Sequence, residues 1–176
     1  GTIDGLDMLD RDTGKFRHFK ADAENDDSLS ADSVGGLAED PDGHIWVAGM
    51  VGGLNLLDAE SGKVQRVLND PMEPHSLISN TVNSVSVDAN GLLWAATQKG
   101  ASIMDLHAKN FLHLAPGETA DGLLSNPTVW SVAEDRNGDV WVGTEDGLHR
   151  YDPETNEMRV YRYDAKDSTS VCNSTF

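Results

Sequence analysis

The chain repeats itself every 47 or 48 residues, and no other property of the sequence narrows its fold as much. Val34, Val82, Val129 and Phe176 stand at equivalent positions, 48, 47 and 47 residues apart. Twelve residues after each valine comes a tryptophan: Trp46, Trp94 and Trp141. Gly5, Gly53, Gly100 and Gly147 keep the same spacing, and an aspartate follows each by five residues: Asp10, Asp58, Asp105 and Asp152. Registers that stay in phase in this way mark a structural repeat, in which one small unit buries its apolar face against the next.

Inside a unit the apolar residues alternate or run in short bursts, with Gly, Asp, Asn and Pro between them, which is the pattern of short strands. In the last complete unit, Thr128 to Asp135, Asp139 to Gly143, Leu148 to Asp152 and Glu157 to Tyr161 read as four strands. Asp40-Pro41-Asp42-Gly43, Asp88-Ala89-Asn90-Gly91 and Asp135-Arg136-Asn137-Gly138 are hairpin turns: the aspartate caps the turn and the glycine supplies a positive φ. Asp12-Thr13-Gly14-Lys15 and Glu60-Ser61-Gly62-Lys63 turn the third strand into the fourth by similar chemistry. Longer connections such as Asn69 to Asn80 lead into the next unit. The expected fold is all-β, a β-propeller of four-stranded antiparallel blades with a repeat of about 47 residues. A horseshoe or β-helix would need a shorter period. The recurring tryptophan is expected to pack blade against blade.

Composition removes several classes of function. With 30 acidic against 13 basic residues the net charge is −17, which opposes binding to nucleic acid or an anionic membrane through phosphate contacts. No stretch approaches the roughly 18 apolar residues of a membrane helix, and the first residues carry no signal-peptide pattern, so any targeting segment would lie outside this sequence. The single cysteine, Cys172, cannot form an internal disulfide.

VWSVAEDRNGDVWVGTEDGLHRYDPETNEMRVY, beginning at Val129, resembles the two-component regulator propeller repeat. VGGLAEDPDGHIWVAGMVGGLNLLD and VNSVSVDANGLLWAATQKGASIMD share the resemblance, as do the leaders Ser76-Leu77-Ile78-Ser79-Asn80 and Gly122-Leu123-Leu124-Ser125-Asn126. Two departures occur: one extra residue within Met50 to Gly52, and Ala101-Ser102 in place of the usual Gly-Leu or Leu-x step, so the loops between second and third strands are expected to differ locally. The resemblance implies the periplasmic or extracellular sensor portion of an inner-membrane receptor, whose output domain is a histidine kinase or diguanylate cyclase. No kinase, cyclase or Walker-type motif occurs here, so the chain itself is expected not to be an enzyme and to need no cofactor.

Gly1-Thr2-Ile3-Asp4-Gly5-Leu6 aligns with Gly143-Thr144-Glu145-Asp146-Gly147-Leu148, so the repeat phase starts just after a second strand. This divides the chain into the last two strands of one blade (1–27), complete blades over 28–75, 76–121 and 122–169, and the start of another (170–176), roughly three and two-thirds blades. An open arc of blades exposes apolar faces and strand edges. Covalent continuation into further blades and a membrane-spanning receptor, or self-association through the open ends, is therefore expected.

Recognition is sought among residues that do not repeat, in loops on a rigid scaffold. Gly35, Asn83 and Trp130 are equivalent positions with different chemistry, and Trp130 can stack on a sugar ring or another flat ligand; packing between blades is its competing role. Gln98, Lys99, Glu145, Asp146, His75, Asn80 and Asn126 supply a polar rim. The pairs Glu39-Asp40 and Glu134-Asp135 recur at the same turn, which makes them turn residues and not an acid–base pair. Asp135 to Asp139 lacks the glycine placement and distal glutamate of a calcium loop, and the six histidines form no ligand cluster, so no metal site is expected. The leading expectation is a non-catalytic sensor segment for a small molecule such as a carbohydrate. A lyase resembling the streptogramin-inactivating family, with His75 and Glu145 as its candidate residues, and a protein-interaction or dimerisation module are the alternatives. Light scattering on the purified chain should give at least twice the 19.0 kDa of one copy if open ends self-associate; a stable monomer overturns that expectation.

Overall fold

In a computed structural model, which describes residues 1–106, 111–116, 124–153 and 155–176, the chain folds as a succession of antiparallel sheets. The boundary between 121 and 122 and the leader residues Gly122 and Leu123 lie outside the described residues. β1 (Leu6–Leu9) and β2 (Phe16–Phe19) form a two-stranded ladder. β3 (Val34–Glu39), β4 (Ile45–Gly49), β5 (Gly53–Leu57) and β6 (Val64–Val67) make the first four-stranded sheet. The second holds β7 (Val82–Val87), β8 (Leu92–Thr97), β9 (Gly100–Asp105) and β10 (Phe111–Leu114), and the third β11 (Val129–Glu134), β12 (Val140–Thr144), β13 (Gly147–Asp152) and β14 (Glu157–Tyr161). Within each sheet every strand pairs with its neighbour in sequence, and the described residues contain no helix. This is the all-β arrangement of propeller blades that the repeat predicts.

The strand expected over Asp139 to Gly143 begins one residue later. Asp139 belongs to the turn: its N–H donates to Asp135 Oδ1 and its carboxylate pairs with Arg150. The turn aspartates do more than cap. Oδ1 of Asp88 accepts the N–H groups of Asn90 and Leu92, while Oδ2 accepts the indole N–H of Trp94 at 2.9 Å. Asp40 with Trp46 (3.2 Å) and Asp135 with Trp141 (2.9 Å) repeat the bond. Gly43, Gly91 and Gly138, with φ of 83°, 80° and 86°, let each turn close. Asp10 and Asp58 cap the turns into β2 and β6 in the same manner, each accepting N–H groups from the two following turn residues.

The core lies between sheets. Trp46, Ala48 and Leu54 of the first sheet bury against Val85, Leu93, Met104 and Phe111 of the second. Trp94, Ala96 and Ala101 meet Val132, Val140 and Val142 of the third. Leu6 and Phe19 pack on Val47, Leu57 and Val64. A leader leucine is sealed into each junction: Leu29, Leu77 and Leu124 are all nearly inaccessible. The first strands stand side by side, β3 against β7 and β7 against β11. At Gly35 the approach is so close that an added Cβ would fall 2.5 Å from the Asn83 carbonyl oxygen.

Of the two departures from the repeat, the extra residue within Met50 to Gly52 changes its loop, whereas the loop before Ala101-Ser102 closes as in the other repeats. Thr2, Thr97 and Thr144 close the loop after a second strand, each hydroxyl donating to the glycine carbonyl three residues on. Gly49 holds that position in the first sheet, and its longer loop closes through Gly52 and Gly53 at φ of 112° and 76°, both N–H groups donating to Asn80 O. Replacing buried Asp88 by alanine orphans two turn N–H groups and the Trp94 indole; a loss of about 2–4 kcal/mol is expected, read as a lower urea midpoint at unchanged m-value.

Candidate functional site

The register places seven of the eight rim residues at one end of the sheets. Val82 pairs with Thr97 and Val129 with Thr144, so the segments before β7 and β11 share an end with the loops after β8 and β12. Asn80, Asn126, Gln98, Lys99, Glu145, Asp146 and Trp130 therefore border that end. His75 does not. Its carbonyl accepts the Phe111 N–H, at the far end of the outer strand β10.

Within the rim the groups differ in engagement. Asn80 Oδ1 accepts the Asn69 N–H and Asn126 Oδ1 the Thr128 N–H, so both amides shape their own leaders. Asp146 is paired with Arg162 at 3.0 Å, and that hydrogen bond holds its carboxyl below the usual range. Gln98, Lys99 and Glu145 are exposed.

Each first strand carries a register shift, between Val34 and Gly36, between Val82 and Ser84, and between Val129 and Ser131. The displaced residues are Gly35, Asn83 and Trp130, the three positions whose chemistry the repeat leaves unconstrained. A bulge re-aims a side chain out of the pleat. Asn83 uses this freedom to donate to Val129 O at 2.6 Å, tying β7 to β11, and its Oδ1 is buried without a partner among the described residues. Trp130 is 37% exposed, unlike Trp46 and Trp94, which are sealed between sheets.

Residues 28–50, 76–99 and 122–146 match the family model described as two component regulator propeller. These three segments are two-component regulator propeller repeats. Among solved structures, the extracellular domain of the putative hybrid two component system BT4673 from B. thetaiotaomicron superposes with a TM-score of 0.79 at 22% identity, over 99% of this chain and 22% of that one. The corresponding domain of BT3049 from the same organism gives 0.67 at 16% identity, over 99% and 34%. Virginiamycin B lyase from Staphylococcus aureus gives 0.64 at 10% identity, over 90% and 48%. At these identities the likeness is one of fold, and the chain spans less than half of each of those proteins. No curated protein gives a significant match. No helix among the described residues is long and apolar enough to cross a membrane.

The regulator propeller repeats contain a buried polar position that sequence reading missed. Asn55, Ser102 and His149 are equivalent, all nearly inaccessible, and each accepts a leader N–H: from Ser30 at 2.9 Å, Ile78 at 3.1 Å and Ser125 at 3.1 Å. Opposite them on the fourth strands stand Arg66, His113 and Val160. Arg66 reaches the carbonyls of Asn25 and Ser28, and His113 approaches Pro74 O, whereas Val160 offers no polar group. The signal in the sequence was faint, because three unlike residues share one role. A recurring Asp-x5-Ser was equally overlooked: Asp22 with Ser28, Asp70 with Ser76 and Asp164 with Ser170 bond in the same reciprocal way across their connecting segments.

His149 Nε2 accepts from Ser125, so the proton of the neutral ring sits on Nδ1, which has no partner among the described residues. Burial pushes its pKa down, and the Arg162 charge acts in the same sense. Across the sheet it faces Val142 and Val160. The sign follows: the unfolded chain takes up a proton near pH 6.5 while the folded chain resists, so stability is full above about 6.5 and falls as pH drops below it. Stability measured against pH should show this decline, and His149→Asn, the residue found at Asn55, should flatten it in the window immediately below 6.5.

Proposed function

We propose that this chain is a ligand-sensing propeller segment of a bacterial membrane-bound signal receptor, with no catalytic role of its own. The match of three successive repeats to the two component regulator propeller carries this reading. The fold likeness to extracellular domains of putative two component systems supports it and points to a periplasmic or extracellular location. Further blades and a membrane-spanning receptor continue the polypeptide, and the signal is a shift between receptor states that bind the ligand unequally.

The ligand is a carbohydrate or a related small molecule, received where Trp130 leaves the pleat. An exposed indole offers an apolar face to a sugar ring, and Gln98, Lys99, Asn126 and Glu145 at the same end of the sheets supply hydrogen-bonding groups for hydroxyls. The fold likeness to virginiamycin B lyase favours a second reading, a propeller enzyme. Its candidate pair argues against it, since His75 and Glu145 lie at opposite ends of their sheets.

Calorimetric titration with a panel of oligosaccharides should find a binder whose affinity falls at least about tenfold in Trp130→Ala, with stability unchanged within about 0.5 kcal/mol. Undiminished binding in that variant moves the site elsewhere. Magnesium-dependent turnover of a streptogramin by the wild-type chain would establish the enzyme.

A further inference from the structure

We propose that a cavity between the first and second four-stranded sheets binds a small amphipathic amine, its apolar body against Trp46, Leu56, Val67, Met104 and Phe111 and its ammonium on the Asp40-Asp42-His44 turn. The cavity measures about 360 Å³, within the range of small-molecule sites, and opens at the turn between β3 and β4. That is the end of the sheets opposite the Trp130 rim, so the site is independent of the one proposed for sensing.

The cavity exists because this junction departs from the repeat. Between the second and third sheets, Leu92 packs against the core and Tyr151 meets Trp94 with ring centroids 6.0 Å apart. The equivalent residues beside Trp46 are His44 and Met104, a polar ring and an unbranched thioether, which leave open the space that Leu92 and the tyrosine ring fill at the next junction.

The chemistry of the mouth is also confined to this repeat. Asp42 stands where the later turns have Asn90 and Asn137, and His44 where they have Leu92 and Asp139. Asp40, Asp42 and His44 bring one ligand atom each to within 4.8 Å of one another; the Asp40 side chain, 7% exposed, also accepts the Trp46 indole, which leaves Asp42 and His44 as the acceptors peculiar to this turn. A primary ammonium carries three donors, which suits three clustered acceptors. Arg66 lines the cavity, but its guanidinium is spent on the carbonyls of Asp22, Asn25, Ser28 and Leu29. The net charge of −17 draws cations and repels anions. A bare divalent cation would satisfy the same acceptors and leave the apolar walls empty, whereas an amine with an aromatic or aliphatic body fills both parts.

The probe is 2-phenylethylamine, titrated into the whole chain by calorimetry, with phenylacetate as its charge-reversed counterpart and Zn²⁺ alone as a third ligand. The amine should bind with a Kd of about 1 mM or tighter, and phenylacetate at least about tenfold more weakly. Met104→Tyr, which borrows the residue of the next junction, should abolish amine binding. Asp42→Asn, at an exposed turn position where the other repeats already carry asparagine, should weaken it about tenfold with the unfolding midpoint unchanged. Equal binding of phenylacetate, full affinity in both variants, no amine binding, or Zn²⁺ binding that the amine does not compete with would each overturn the proposal.

Discussion

Burial of one sheet face against the next is the interaction on which everything else here depends. A four-stranded sheet of short strands cannot remove its apolar faces from water alone, and the described core clusters form where successive sheets meet. The tryptophans illustrate the coupling. Trp46 and Trp94 pack against the following sheet, and their indole nitrogens, buried by that packing, still need acceptors. The turn aspartate supplies that acceptor while closing its own hairpin, so one carboxylate links local turn geometry to long-range packing. Leader leucines Leu29, Leu77 and Leu124 complete each junction, held in place by a polar side chain from the third strand.

A scaffold fixed in this way leaves few positions free, and the candidate sites fall on them. The bulge residue of each first strand has no role in its ladder, which is why glycine, asparagine and tryptophan can occupy it. Glycine there lets β3 approach β7, asparagine bonds across to β11, and tryptophan is partly exposed. The turn from Asp40 to His44 and the opposing Met104 show the same principle at the other end of the sheets. Residues that fill space at one junction are exchanged at the next, and a cavity results. Function is thus sought where the repeat is broken, since positions that obey it are occupied with folding.

Asp135 shows how far a titrating group can be explained by scaffold alone. The indole of Trp141 and the Asn137 N–H hold its carboxyl below the usual range, yet the same arrangement recurs at Asp40 and Asp88, which marks a structural carboxylate. His149 differs, because its equivalents Asn55 and Ser102 cannot titrate. One repeat of the three therefore carries a buried ionisable lock on its leader, and nothing in the 47-residue pattern announces it.

The strands, their order, the hairpin turns and the packing role of tryptophan were legible in the sequence, because each depends on nearby residues or on a period that counting reveals. Asn55, Ser102 and His149 were not, since a shared acceptor role leaves no common residue type. Trp130 stood out as unlike its equivalents, but that it and Asn83 both leave the pleat depends on the register shifts between β11 and β12 and between β7 and β8. His75 sits beside Asn80 in sequence, yet lies by Phe111 because the leader crosses from the outer edge of one sheet to the inner edge of the next. Local periodicity determined what this chain folds into. Only the tertiary arrangement, which brings residues 40–44 opposite residue 104 and separates residue 75 from residue 145, decided which side chains share a surface.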